Sequence, residues 1–216
     1  MKDFEAVFLG QSILKYRVPL CYLKTLNHIY ETKVNELIPA NNSLVGKIKK
    51  EYSLYYNSGQ EKKMKNHNYL PFEITRWYTE HFKHYLDFNK IEDYSMKFLS
   101  AWVNEMEQYE YNPIHTHQGD IFTGLSSVLI LKLPKDYGKE ISASGFPQNG
   151  KLQMLGSASG QFANIDYQPE LKEGDFFIFP YDMRHGVYPF FGPETRRTIA
   201  ANCDVAYNVI KSRGVI

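Results

Sequence analysis

The sequence predicts a mainly β, α+β fold, in which a mostly helical part (residues 1–96) supports a β part (residues 97–210). Two patterns carry this expectation. Apolar residues recur at helical spacing through the first hundred positions, then give way to short alternating runs broken by Gly, Pro and Asn. A third observation bounds it. The chain has 216 residues, 43% hydrophobic and 23% charged, enough for one well-buried core, so 1–216 is read as a single domain.

Pro19 stands where a first-turn proline is tolerated. Beyond it Leu20, Leu23, Leu26, Ile29, Tyr30, Val34 and Leu37 make one apolar stripe, ended by Pro39 and the Asn41–Asn42–Ser43 cluster. Residues 47–68 are polar and basic, with a turn at Ser58–Gly59. They read as a surface loop or weak helix, and Lys47–Lys65 as a solvated face able to steer an acidic or nucleic-acid-bound partner. A second helix is expected over Pro71–Phe88, with Ile74, Trp77, Tyr78, Phe82, Tyr85 and Leu86 on one side. His81 and His84, a turn apart on it, read as rim residues rather than metal ligands.

From Lys97 the period changes to two. Ala101, Val103 and Glu105 share one side of a strand, and Trp102, Asn104 and Met106 the other. Ser126–Pro134, Glu173–Pro180 and Arg196–Tyr207 read as further strands. Lys151–Leu155 and Gln161–Asp166 are weaker ones, and Asn112–Pro113 reads as a turn. Short strands punctuated this way suit an antiparallel sandwich or barrel.

Charge argues against a large electrostatic footprint for nucleic acid, while leaving room for a local patch. Lys plus Arg number 25 against 24 acidic residues, a net of +1, so no DNA binding is expected. The two cysteines, Cys21 and Cys203, cannot build a disulfide framework and suit a reducing compartment. With no signal-like leader and no long apolar run, the expectation is a soluble cytoplasmic protein without a membrane span.

The chemistry concentrates in two segments. In Tyr111–Asp120, His115 and His117 are two apart, so on a strand both imidazoles face one centre. Asp120 follows where a turn can bring its carboxylate back. In the second segment a Gly–Asp turn feeds the aromatic strand Phe176–Phe179, Pro180 ends it, and His185 follows at the mouth of the barrel. Then come Arg196 and Thr198 on one side of the last strand. A planar guanidinium beside a hydroxyl is a good grip for a carboxylate.

The order His-x-His, Gly-Asp-Phe-Phe-Ile-Phe-Pro, His, Arg-x-Thr resembles the Fe(II)- and 2-oxoglutarate-dependent oxygenase superfamily. It is nearest to phage and bacterial members related to prolyl hydroxylases. The resemblance covers about residues 98–205 and implies a double-stranded β-helix core, buttressed by the helices before it. It implies that His115 and His185 ligate Fe(II), and that Arg196 binds the distal carboxylate of 2-oxoglutarate with help from Thr198. Tyr109 or Tyr111 is a candidate further contact to the cosubstrate, and Asn104 a candidate lining residue. The family pattern departs at one position. His117 stands where a carboxylate is usual, so the third ligand is His117, Asp120 or water.

The implied reaction consumes O2 and 2-oxoglutarate and hydroxylates a C–H bond, with a prolyl residue of a protein or peptide the expected target. Phe177, Phe179, Leu129 and Ile199 are expected to wall the site. Two other classes compete. A cupin-type dioxygenase or isomerase also uses His-x-His, but wants a glutamate where Ile121 and Phe122 stand, and has no use for Arg196. A β-barrel binding module with a degenerate site would not keep three histidines and the arginine.

Overall fold

The computed structural model describes residues 10–41, 45–60, 64–140, 142–143, 145–157, 160–161 and 163–208. In chain order the elements are β1 (Leu14–Arg17), α1 (Leu20–Lys33), β2 (Ile38–Pro39), β3 (Lys50–Tyr56), β4 (His67–Asn68), α2 (Phe72–Phe88) and β5 (Tyr94–Met106). They continue with β6 (Asn112–His115), β7 (Gly124–Lys132), β8 (Leu152–Leu155), β9 (Asp166–Tyr167), β10 (Asp175–Pro180), β11 (Arg184–Val187) and β12 (Arg196–Tyr207).

The strands form two antiparallel sheets. The larger runs β1-β10-β7-β12-β5-β3-β2, with β4 added to β3; the smaller runs β6-β11-β8-β9. Alternation along the long strands gives the large sheet two apolar faces, each buried under a different cover. On the outer face Leu129, Leu131, Phe176, Ile178, Ile199, Ala201 and Cys203 pack with α1 and α2 through Leu26, Ile29, Ile74, Trp77, Tyr78 and Phe82. On the inner face Val128, Ile130, Phe177 and Phe179 meet Leu152, Met154, Met183 and Val187 of the small-sheet side.

Arg197 ties the helical cover to the sheet. It donates to Glu105 at 2.7 Å and to Asn27 and Glu31 of α1, and its guanidinium lies 4.4 Å from the Tyr30 ring centre. The outer-face charge is thereby paired on every side, which burial demands.

Three expectations need correction. The first helix ends at Lys33, so Val34 and Leu37 lie past it, and Asn42 and Ser43 are outside the described residues. More importantly, residues 50–56 are neither loop nor weak helix but the strand β3, paired with β5 from Lys50↔Glu105 to Tyr56↔Ser100. Leu54 is fully buried there. With β1, β2, β3 and β4 all in the large sheet, the first part supplies strands as well as helices. Asn112–Pro113 likewise is not a turn; both residues lie on β6.

Candidate active site

His115 is on β6 and His185 on β11, directly opposite each other in the ladder. Their ring centres are 4.4 Å apart. Gly186 lets these strands approach: a Cβ there would stand 2.9 Å from the Asn112 carbonyl oxygen and 3.1 Å from the Ile114 nitrogen. His117 lies just beyond β6, and its backbone N–H donates to the Tyr181 carbonyl at 2.8 Å. Its Nε2 then faces His185 Nε2 at 3.1 Å.

The ligand atoms of His115, His117 and His185 all lie within 4.8 Å of one another, a group that could hold a metal ion. Backbone carbonyls fix two of the rings. His115 Nδ1 meets the Pro113 oxygen at 2.7 Å, and His185 Nδ1 the Met183 oxygen at 2.9 Å. A carbonyl only accepts, so each Nδ1 carries the proton and each Nε2 keeps its lone pair for a cation. Burial holds all three imidazoles neutral. It lowers His115, lowers His117 with the help of its two neighbours, and pushes His185 down to about 3. Neutral, convergent imidazoles, one buried and two half-buried, suit a divalent transition metal.

Asp120 is not brought into that cluster. Its carboxylate accepts from Ser58 Oγ and from the Gly59 N–H at 2.8 Å, and Lys97 sits 3.2 Å away. These partners outweigh burial and hold the carboxyl below its usual range. Asp120 instead pins the segment that carries His117: its own N–H donates to Asp204 at 3.0 Å, and Asp204 accepts from the Tyr181 hydroxyl at 3.0 Å.

Arg196 and Thr198 point to the inner face of the large sheet, paired across β5 with Met106 and Asn104. Arg196 is 1% exposed, and its Nε and Nη2 have no hydrogen-bond partner; Nη1 meets only the Met106 sulfur, at 3.9 Å. Burial pushes this guanidinium down to about 10, still a cation at neutral pH. A buried cation with open donors is the cradle a carboxylate would fill. Tyr137, unmarked in the sequence, lies close enough for the Arg196 charge to offset part of the rise that burial imposes on its phenol.

The other sequence candidates fall elsewhere. Tyr109 and Tyr111 are 61% and 41% exposed, one packed on Phe191 and the other bridged to Lys47. Asn104 is buried beside Thr198, its Oδ1 without a partner. Of the expected wall, Phe179 packs edge-on to His185 at 4.6 Å, and Phe177 shares the inner cluster. Leu129 and Ile199 belong to the outer face against the helices. A cleft of about 520 Å³ opens beside the histidines, lined among others by Glu51, Ser53, Trp102, Asn112, His115 and His117. Glu51, Ser53 and Asn112 escaped the sequence reading because it placed them in a loop and a turn.

Comparison with known proteins agrees with this geometry. Residues 100–202 match the family model described as "Putative 2OG-Fe(II) oxygenase". A search of curated proteins by sequence finds no match. Among solved structures, a Pseudomonas putida prolyl-4-hydroxylase aligns with TM-score 0.55 at 15% identity, over 90% of this chain and 92% of that one. A Trichoplax adhaerens prolyl hydroxylase in complex with a hypoxia inducible factor peptide fragment aligns with TM-score 0.52 at 12% identity, over 94% and 86%. HygX from Streptomyces hygroscopicus, with nickel, 2-oxoglutarate and hygromycin B bound, aligns with TM-score 0.54 at 7% identity, over 90% and 83%. At such identities the structural likeness speaks for the fold, and the two antiparallel sheets fit a jelly roll.

Residues 100–202 thus carry the pattern of a 2OG-Fe(II) oxygenase, and the three histidines form a group that could hold a metal ion. In fold, the chain resembles prolyl hydroxylases of bacterial and viral origin. No helix among the described residues is long and apolar enough to cross a membrane.

Proposed function

We propose that this chain hydroxylates a C–H bond of a prolyl residue in a protein or peptide, in the cytoplasm, from a single domain (1–216) built on a double-stranded β-helix. The observation that carries the reading is Arg196, a fully buried cation whose Nε and Nη2 lack a partner. An incoming anion would compensate such a group, and a 2-oxo dicarboxylate fits it bidentately.

In this reading His115, His117 and His185 hold the metal through Nε2, and His117, not Asp120, is the third ligand. Three ligands on one side leave open positions, as dioxygen chemistry requires. Bound Fe(II) supplies the activation of O2 that couples loss of CO2 from 2-oxoglutarate, giving succinate, to insertion of one oxygen atom into the substrate C–H bond. The protein's own residues bind and orient. Arg196, assisted by Thr198 and the nearby Tyr137, takes the distal carboxylate. Pro113 and Met183 carbonyls hold the two imidazole protons away from the metal side. Phe179 and Phe177 keep the inner wall dry. The substrate enters the cleft beside His115 and His117.

The test is two measurements on the Fe(II)-loaded protein. It should form succinate from 2-oxoglutarate, and Arg196→Ala should abolish this. A host proteome exposed to it should gain single oxygen atoms on prolyl residues, dependent on 2-oxoglutarate. Oxygen gained only on small metabolites would remove the prolyl assignment and leave the oxygenase intact.

A further inference from the structure

Glu51 lies on β3, paired across the ladder with Asn104. It lines the same cleft as His115 and His117, yet is 1% exposed, and its Oε2 has no hydrogen-bond partner. Among the described residues it makes no ion pair. Asn112 Oδ1, also lining the cleft, and Asn104 Oδ1 are buried and unpartnered too. A buried acceptor left empty costs roughly 1–3 kcal/mol, and a carboxyl cannot be turned into a donor by flipping, as an amide can. Once ionised, the Glu51 carboxylate would therefore need donors from outside the chain.

The chain offers little help from nearby. Glu110, a second acid, acts on it electrostatically, and that carboxylate is already taken by the Lys49 and Glu107 N–H groups. Burial and Glu110 together raise the Glu51 carboxyl to about 8. The carboxyl of the free protein is therefore largely protonated at neutral pH, and a cation arriving from outside would favour its ionised form while supplying the donors.

We infer that Glu51 selects the substrate, anchoring a cationic nitrogen carried close to the C–H bond that is hydroxylated. This rests on the oxygenase reading above and adds the chemical class of the substrate to it. Two sources present that chemistry: a lysyl or arginyl side chain flanking the target residue in a peptide, and the amine of a free amino or imino acid.

The experiment uses the Fe(II)-loaded chain with 2-oxoglutarate and two probe sets. One is peptides with a prolyl residue flanked by Lys or Arg, each matched to its neutral isostere, norleucine or citrulline. The other is free L-proline matched to its N-formyl derivative. Oxygen incorporation is read by mass spectrometry, and binding to the Mn(II)-loaded protein by anisotropy. In one set the cationic probe should exceed its neutral match by at least about tenfold in kcat/KM and in affinity. Glu51→Gln should erase that ratio, and Glu51→Lys should turn it toward acidic flanks. A ratio near one in both sets, or a ratio that survives Glu51→Gln, overturns the inference while succinate formation by the wild type leaves the oxygenase reading standing. No succinate from the wild type would bring down both.

Discussion

Arg196 shows at single-residue scale how binding chemistry is stored at a cost to the empty protein. A buried cation without partners destabilises the fold, and a hydrophobic side chain of similar length would relieve it. Arg196→Met should therefore raise the stability of the metal-free protein, by roughly 1–3 kcal/mol in urea unfolding, while weakening 2-oxoglutarate binding by about 2–5 kcal/mol. A purely structural arginine would lose stability in the same experiment. Glu51 gives a second residue-scale test, through pH. Burial and the nearby Glu110 raise its carboxyl in the fold to about 8, well above the ordinary glutamate range. A group raised on folding contributes its stability fully below the unfolded pKa and loses it as pH rises through the folded one. Between about pH 5 and 8 the wild type should lose stability relative to Glu51→Gln, whose midpoint lacks this titration; parallel curves would show that Glu51 is ionised throughout.

At the scale of elements, the segment from Thr116 to Thr123 decides whether the third imidazole is in place. It is clamped at His117 N–H by Tyr181, at Asp120 N–H by Asp204, and at the Asp120 carboxylate by Ser58, Gly59 and Lys97. Gly119 packs on Asp204 so closely that a Cβ would fall 1.7 Å from Asp204 Oδ1. Gly119→Ala must displace the segment, and metal affinity should fall about 10–100-fold with the far-UV circular dichroism unchanged. Unaltered affinity would mean that two histidines suffice. The sequence marks the histidines of this segment by their spacing, but not the clamp, whose partners come from β3, β5, β10 and β12 neighbourhoods far along the chain. The strand β3 was hidden for a related reason. Lys47 and Lys49 and the Ser58–Gly59 turn flank it, Lys50 begins it, and its place in the sheet comes from pairing with β5 and with β2 and β4.

For the whole molecule, the large sheet serves as a wall between two cores. The outer core joins it to the helices. Phe176 is its hinge point, within 4.7 Å of the Trp77 ring and 5.3 Å of the Tyr78 ring, and fully buried. Phe176→Ala should cost about 3–5 kcal/mol in denaturant unfolding; a loss under 1 kcal/mol would mean that the helices do not bear on the sheet. The strand half was legible because alternation survives wherever one face is core, as in Arg196–Cys203. The two helices were legible from their apolar stripes. What stayed hidden were the strands that pair with distant partners, and the sorting of Leu129 and Ile199 to the outer face rather than the site. Local periodicity gives two faces but not which one meets the chemistry.

The central claim is that three imidazoles and one buried guanidinium form a single metal-and-cosubstrate site. Anaerobic titration of the metal-free chain, first with Fe(II) and then with 2-oxoglutarate, tests it most directly. The account predicts one equivalent of each, with a visible charge-transfer band that forms only when both are present. The band should vanish in His185→Ala through loss of iron and in Arg196→Ala through loss of 2-oxoglutarate. Stoichiometric iron in His185→Ala, or an undiminished band in Arg196→Ala, would contradict it.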